Sequence, residues 1–432
     1  MPIDWDSVSD PAAVGDELVE LMRELFSIPR SLTGNGVRET LAVLARDVPL
    51  ELIETPSGTP VFDWVVPREW NLRGAWIEDP HGIRVLDAAE SPLHVLGYSV
   101  PVDTTLSLDE LRSHVFTHPD DPDAVPFRTS YWKEQWGFCM SRRRLETLED
   151  GEYRVRIDSS LEDGSLTSGE VTIPGATEQE FLLSTYVCHP ALANDNLSGI
   201  VLLWALARTL ARQRLSYTYR LLWSPGTLGP LCWLARNRGQ LARVAHGLVV
   251  SCVGDPGQLR YKRSRRGDAP IDRASAYVVA HEPRGIIANW QPTGGDERQY
   301  CSPGFDLPVG TLSRTPHGLF PEYHSSKDDL SLVTSEALAG SFRAALKIID
   351  VVETNVAYRN LSPFGEPQLG RRGLYESVPD GTNPEAAMLW VLNASDGTHD
   401  LLAIAERSGL PFETIREAAC ALEQHRLLEP AP

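Results

Sequence analysis

Two side chains that could bind a metal ion follow an apolar run near the middle of the chain. The stretch YVCHPALANDNLSG, from Tyr186 to Gly199, contains His189 and Asp195. Imidazole nitrogen and carboxylate oxygen are ordinary ligands of zinc and similar divalent cations. The alternative is that His189 is a hydrogen-bonded loop residue and that Asp195 caps the helix that follows.

Two later stretches offer ligands of the same kind. A third apolar run ends in Cys252 and, three residues later, Asp255, and the polar stretch GLFPEYHSSKDDL contains His324. If all of these loops meet at one edge of a sheet, two histidines and two aspartates would form a site for one or two divalent cations. Asp255 also has the simpler interpretation of a helix cap.

The segments around these residues alternate between strand and helix patterns. Apolar runs typical of buried parallel strands are separated by amphipathic, helix-like stretches. The predicted elements are strand Phe181–Val187, helix Ser198–Leu210, strand Thr218–Trp223, helix Leu228–Arg238, strand His246–Gly254 and helix Asp328–Val352. This order predicts a doubly wound α/β sheet, which presents binding sites at the carboxyl ends of its strands.

Three regions of different composition predict the domain organisation. Residues 1–50 and 171–360 form the predicted α/β core, and residues 51–170, with short strand-like runs separated by Pro, Gly and Asp, form a β-rich insert. Residues 374–432 contain three short predicted helices and are typical of a winged-helix module.

The charge of the C-terminal module disfavours DNA binding. Residues 371–432 contain five arginines, no lysine and ten acidic residues, whereas a module that reads DNA is usually basic. We therefore expect a role in packing or in forming a homo-oligomer, and no nucleic-acid partner.

The whole chain has the composition of a globular cytoplasmic protein. Its 432 residues carry a formal net charge of -19, which repels polyanions and anionic membrane surfaces. It contains no apolar run of about 20 residues that could span a bilayer, and its acidic start lacks the pattern of a signal peptide. Six cysteines without a CxxC pair are typical of free thiols in a reducing compartment.

A glycine-rich stretch from Gly294 to Cys301 offers groups that could bind a substrate. It reads GGDERQYC and places acid, guanidinium, amide and phenol groups side by side. Such groups could bind the ammonium and carboxylate ends of an amino-acid-like molecule. The predicted substrate-binding residues are Asp296, Glu297, Arg298 and Tyr300. The alternative is a buried turn held by ion pairs.

The stretches quoted above, together with YKRSRRG, GGDERQYCSPGFDLPVG and VPREWNLRGAWIEDP, resemble a bacterial aminopeptidase-like family. The family is found in polysaccharide and natural-product biosynthesis neighbourhoods. It is similar in its core to zinc aminopeptidases and glutaminyl cyclases, and it carries a β insert and a terminal winged helix. The resemblance implies action on an amide or peptide bond of a small amino-acid-containing or peptide-like substrate. The zinc ligands that it implies are His189, Asp195, Asp255 and His324.

One departure from the family pattern follows the second core strand. Relatives are expected to carry a glutamate between a proline and a threonine, where it takes a proton from zinc-bound water. This chain has Gly226 between Pro225 and Thr227. Glycine cannot accept a proton and Thr227 is a poor substitute for a carboxylate ligand, so we expect one zinc rather than two, and atypical or reduced hydrolysis. The alternative is a catalytically degenerate protein that binds a metal or ligand without turnover.

Another acid could replace the missing glutamate. Glu282, Glu297 and Glu322 are candidates, although the commoner role for each is that of a surface or ion-paired residue. If position 226 is the base site, the substitution Gly226→Glu should raise aminopeptidase activity.

Overall fold

The computed structural model describes residues 1–374 and 384–431, so residues 375–383 and 432 of the predicted C-terminal module lie outside the described part. The chain divides into two compact units. The larger is Asp4–Leu346, and the smaller combines Met1–Ile3 with Lys347–Pro432.

The described residues contain strands and helices in mixed order. The strands are β1 (Glu51–Pro56), β2 (Pro60–Val61), β3 (Trp64–Val65), β4 (Glu69–Glu78), β5 (Arg84–Asp87), β6 (Val102–Ser107), β7 (Val115–Phe116), β8 (Phe138–Cys139), β9 (Glu152–Glu162), β10 (Ser165–Ile173), β11 (Glu180–Tyr186), β12 (Thr218–Ser224), β13 (Val244–Val250), β14 (Arg260–Lys262), β15 (Ile286–Ala288), β16 (Val309–Ser313), β17 (Ala357–Asn360), β18 (Asp396–Asp400) and β19 (Leu428–Pro430). The α-helices are α1 (Pro11–Leu25), α2 (Asn35–Leu44), α3 (Leu108–Arg112), α4 (Arg142–Glu146), α5 (Ser198–Leu210), α6 (Leu228–Arg236), α7 (Pro270–Ala280), α8 (Glu297–Tyr300), α9 (Ser335–Thr354), α10 (Pro384–Ala394), α11 (Leu401–Ser408) and α12 (Phe412–Gln424).

The main sheet of the larger unit has the strand order β1-β10-β12-β11-β13-β16-β14-β15. Its centre is parallel, because β12, β11, β13 and β16 pair in the same direction. The strand β11 reads EFLLSTY and is buried along its whole length, as is typical of a strand in the middle of a parallel sheet. The predicted strand–helix alternation therefore produces the predicted doubly wound sheet.

The insert has its own antiparallel sheet, with the order β5-β4-β9-β6. In β9, Tyr153, Val155 and Ile157 are buried and alternate with exposed residues, a pattern typical of a sheet with one covered face. The predicted limits of 51–170 need one correction. The strand β1 pairs with β10, which pairs with β12, so both edges of the predicted insert belong to the main sheet.

The smaller unit contains a short antiparallel sheet and the helices α10, α11 and α12. Its sheet has the order β18-β17-β19, so β17, which the sequence assigned to the core, belongs to this unit. The reason is that β17 is too short and polar to be recognised without its partners. The backbone N–H of Ile3 donates to Asp350 Oδ1 at 2.9 Å and joins the first residues to this unit.

No helix in the described ranges has both the length and the apolar character needed to cross a membrane.

Candidate metal centre

The loop between β11 and α5 carries His189 and Asp195, and a buried carboxylate fixes its backbone. Asp328 accepts hydrogen bonds from the backbone N–H groups of Asn194 at 2.6 Å and Asp195 at 2.9 Å. Its backbone carbonyl accepts a third, from Ala193 at 2.8 Å. Because Asp328 is completely buried, these bonds are shielded from water and hold the loop in one arrangement.

Three of the four predicted metal ligands meet at this edge of the sheet. Potential ligand atoms of His189, Asp195 and His324 all lie within 4.8 Å of one another. Asp195 Oδ2 is 3.1 Å from His324 Nε2 and 4.0 Å from His189 Nε2. We call these three residues the open group.

The protonation and hydrogen bonding of the open group fit a divalent cation. Asp195 Oδ2 and His324 Nε2 are shielded from solvent and face each other at ion-pair distance. Burial lowers the pKa of His189 to about 4, so its imidazole is neutral at pH 7. Burial works to raise the pKa of Asp195, but His189 and the other nearby imidazoles hold that pKa below its ordinary value. Two imidazoles and one ionised carboxylate form a suitable ligand set for zinc.

Asp255 does not join the open group, which corrects the prediction that it is the fourth ligand. Its Oδ1 accepts hydrogen bonds from Asn194 Nδ2 and from the backbone N–H of Thr315, both at 3.1 Å. Its Oδ2 accepts from the Thr315 hydroxyl at 2.5 Å and from the backbone N–H of Gly257 at 2.8 Å. Asp255 therefore links the loops behind the site.

A second group of ligand-type side chains shares Asp195, and we call it the filled group. Potential ligand atoms of Asp195, Cys252 and His317 lie within 4.8 Å of one another. The hydroxyl of Tyr186 donates to Asp195 Oδ1 and lies 2.8 Å from His317 Nε2 and 3.8 Å from Cys252 Sγ. Neither Tyr186 nor His317 was among the residues predicted from the sequence, and Asp255 rather than Cys252 was the ligand predicted at the end of the third strand.

Gly226 lies beside a carboxyl group that comes from another segment. A Cβ atom at position 226 would lie 3.0 Å from Asp296 Oδ1 and 3.0 Å from Tyr186 Cβ. Asp296 is 1% exposed, and its Oδ2 has no hydrogen-bond partner among the described residues. Burial, assisted by the charge of Glu297, raises the pKa of Asp296 to about 8. A titratable acid is therefore present beside the position where the glutamate was expected.

The remaining predicted substrate-binding residues differ in their surroundings. Glu297 is buried, its Oε1 lies 2.7 Å from Lys262 Nζ, and its Oε2 has no hydrogen-bond partner in the described ranges. Tyr300 is a core residue whose hydroxyl lies 2.9 Å from Ser184 Oγ. Arg298 is exposed. The Tyr300 hydroxyl already has a partner in Ser184, whereas Glu297 Oε2 has none in the described ranges, so Glu297 is the better candidate of these three.

The other two glutamates considered as a replacement base have different contacts. Glu282 lies 3.9 Å from Arg343 in an ion pair. Glu322 is half-buried, and its backbone carbonyl accepts hydrogen bonds from Ser325. Asp296, which the sequence analysis assigned to substrate binding, is thus the acid that the structure places beside Gly226.

Comparison with known proteins identifies the family. A model described as "Domain of unknown function (DUF4910)" matches residues 19–355, and one described as "winged helix-turn-helix" matches residues 356–430. The chain belongs to the DUF4910 family. A polysaccharide biosynthesis protein with an aminopeptidase-like domain from Clostridium acetobutylicum is 46% identical over 426 residues, which cover 98% of each chain. The predicted resemblance to that aminopeptidase-like family is confirmed.

Solved structures extend the comparison to the fold of this DUF4910 chain. The crystal structure of a protein described as a peptidase from Clostridium acetobutylicum has a TM-score of 0.94 and 45% identity, over 98% of this chain and 97% of that one. A zinc aminopeptidase from Bacillus subtilis has a TM-score of 0.55 and 11% identity, over 79% and 93%. An M28 peptidase precursor from Shewanella amazonensis has a TM-score of 0.53 and 15% identity, over the same shares. The aminopeptidase-like α/β fold with a C-terminal winged helix is therefore confirmed.

In this DUF4910 chain the insert supplies one wall of the open group. The Phe127 ring lies 5.0 Å from the His189 ring and 5.2 Å from the His324 ring, measured between centroids. The Phe127 backbone N–H donates to the His324 carbonyl at 2.7 Å, and that of Ser326 donates to the Val125 carbonyl at 2.8 Å. The loop that carries His324 is therefore paired with the insert through its backbone.

Proposed function

We propose that the chain is a zinc-dependent, aminopeptidase-like hydrolase that cleaves the amide bond of a small, amino-acid-containing substrate. The observation that carries the proposal is the open group, in which His189, Asp195 and His324 bring potential ligand atoms within 4.8 Å of one another at the sheet edge. The fold that the chain shares with zinc aminopeptidases is consistent with this chemistry.

The open group would hold one zinc ion through His189, Asp195 and His324. When bound, zinc supplies a Lewis acid that polarises the carbonyl of the substrate. Asp328 holds the backbone around Asp195 through two accepted hydrogen bonds, and Phe127 packs against both imidazoles. These contacts would orient the ligands before an ion arrives, which increases affinity.

Asp296 would carry the proton that a glutamate at position 226 carries in the family pattern. Its carboxyl group lies beside Gly226, and its Oδ2 is free of hydrogen bonds with the described residues. A group with a pKa of about 8 exchanges protons readily near neutral pH. In its ionised form Asp296 would accept the proton of the attacking water, and in its protonated form it would donate a proton to the leaving amine.

Glu297 would bind the ammonium group of the substrate. Its unpartnered Oε2 lies 3.1 Å from the position of a Cβ atom at residue 295, and His317 Cε1 lies 3.4 Å from the same position. Gly295 therefore provides space between Glu297 and the filled group. Glu297 Oε1 is paired with Lys262 Nζ, which leaves Oε2 as the acceptor for a cationic substrate end.

Zinc analysis and amide turnover on the full chain test the proposal. The purified protein is assayed with a panel of aminoacyl anilides and with their N-acetylated counterparts, which lack the ammonium group. We expect bound zinc, turnover of the free-amine series only, and loss of both zinc and turnover in His189→Ala. His81→Ala is the matched control, because His81 is a largely exposed histidine in the insert.

The outcomes separate the two candidate functions. If zinc is bound but no amide is turned over, the catalytically degenerate binding protein is the better description, and the absence of an acid side chain at Gly226 favours that alternative. If no zinc is bound, the open group is not a metal site and the hydrolase is excluded as described.

A further inference from the structure

The hydroxyl of Tyr186 occupies the position between the ligand-type atoms of the filled group. It donates its proton to Asp195 Oδ1, so its oxygen can accept hydrogen bonds from two other donors. His317 Nε2 is 2.8 Å away and Cys252 Sγ is 3.8 Å away. All three side chains thus direct a polar atom at one phenolic oxygen.

A set of one carboxylate, one thiol and one imidazole within 4.8 Å is otherwise suitable for a zinc-like cation. Zinc would need distances of about 2.0–2.3 Å to such ligands. The Tyr186 oxygen lies among the same three groups, so an ion and this hydroxyl cannot occupy the space together.

The tyrosine is held in this place from both sides. A Cβ atom at position 226 would lie 3.0 Å from Tyr186 Cβ and 3.4 Å from Tyr186 Cγ, so any other residue at 226 would force a shift of a few tenths of an ångström. On the other side the Tyr186 ring lies 5.2 Å from the His189 ring and 5.7 Å from the His317 ring. Gly226 therefore fits the present position of the Tyr186 ring.

The backbone of Cys252 is also fixed. Its N–H donates to Asn196 Oδ1 at 3.2 Å, and its carbonyl accepts from the Arg314 N–H at 2.8 Å. Removing the Tyr186 side chain would therefore leave the backbone of Cys252 close to its present position, and Asp328 holds the backbone of Asp195 in the same way.

We infer that Tyr186 takes the place of a second cation: the chain binds one zinc in the open group, and the filled group is a latent zinc site that the phenol closes. This inference rests on the proposed function for the open group. It adds that Asp195, Cys252 and His317 bind a second ion when the hydroxyl is absent.

Metal stoichiometry of the full chain tests the inference without an activity assay. Metal-free protein is reloaded with excess zinc, separated from free zinc and analysed for zinc per chain. We expect about one zinc in the wild type, about two in Tyr186→Ala, and about one again in Tyr186→Ala combined with His317→Ala. Reloading with Co²⁺ reports the ligand, since a thiolate bound to Co²⁺ absorbs in the near ultraviolet. That absorption should be present only when Tyr186 is replaced by Ala and Cys252 is intact.

A second measurement keeps the test valid if Tyr186→Ala does not fold. Cys252→Ser in the wild-type background should leave both the zinc content and the Co²⁺ spectrum unchanged, because Cys252 binds no ion while Tyr186 is present. Loss of zinc in Cys252→Ser, or a thiolate band in the wild type, would overturn the inference. One zinc in the wild type and in folded Tyr186→Ala would overturn it alone, whereas no zinc in any variant would overturn the proposed function as well.

Discussion

The two oxygens of the Asp195 carboxylate face similar types of ligand but differ in their hydrogen bonding. On the Oδ2 side, Asp195 faces the imidazoles of His324 at 3.1 Å and His189 at 4.0 Å, and no hydroxyl among the described residues donates to Oδ2. On the Oδ1 side, the Tyr186 hydroxyl donates to the carboxylate and contacts the other groups. The difference shows that the hydrogen bonds already made, rather than the residue types, distinguish a cation site from a structural cluster.

The strongest test of this comparison replaces one histidine of each group with alanine. We expect His324→Ala to reduce zinc affinity by more than about 100-fold, since loss of a direct ligand should exceed the 10–100-fold that follows loss of an outer partner. His317→Ala should leave zinc affinity within a few-fold of wild type. Competition with a chelating dye measures both, and equal losses would show that the two groups act as one site.

Asp296→Asn tests whether Asp296 transfers protons in the reaction without contributing to zinc binding. We expect turnover to fall by about 100-fold, the lower end of the usual contribution of a general acid–base group, while zinc content stays the same. A parallel loss of zinc would assign Asp296 to metal binding instead.

The pH dependence of turnover tests independently whether Asp296 acts as the base. A base must be ionised to accept a proton, and burial raises the pKa of Asp296 to about 8. Turnover should therefore rise with pH through about 8 and level off above it. Asp296→Asn should lack this limb, and a wild-type profile without a limb near 8 would remove Asp296 from the reaction.

The sequence predicted that Gly226→Glu would raise aminopeptidase activity, but the contacts at position 226 lead us to expect a fall. The new Cβ would lie 3.0 Å from both Asp296 Oδ1 and Tyr186 Cβ, and a second carboxylate would lie close to the first. Overpacking of this kind costs about 1–3 kcal/mol of unfolding free energy. We expect a lower melting temperature and turnover below the wild-type level. Gly74→Ala is the control, because its Cβ would have no atom within 4 Å. A rise in turnover would restore the sequence-based expectation.

Phe127→Ala gives the smallest expected effect and tests the wall that the insert contributes. The variant loses ring contacts with His189 and His324 but keeps the backbone hydrogen bond to the His324 carbonyl. We expect zinc affinity to fall by about 10-fold, as for other residues that orient a ligand. Phe62→Ala removes a half-exposed ring that contacts Phe305 and serves as the control. Unchanged zinc affinity in Phe127→Ala would show that the backbone pairing alone positions His324.

Long apolar runs made the core predictable, and local patterns could not resolve the contacts of the site. The strand at 181–187 and the helix at 198–210 were recognisable because their burial is almost continuous. The choice between Cys252 and Asp255 depends on which side chain turns toward Asp195, and strand-end spacing contains no such information. Asp296 comes beside Gly226 only through tertiary packing, so its burial and pKa could not be read from GGDERQYC.

The backbone pairing between residues 125–127 and 324–326 connects ion uptake to the integrity of the insert. An ion that requires His324 in its present place stabilises every segment that holds His324 there, by an amount that grows with the logarithm of the free ion concentration. Zinc should consequently protect the loop Thr117–Pro126, which contains three prolines, from proteases. Because this coupling acts in both directions, proteolytic cleavage within that loop should lower zinc affinity and release the ion.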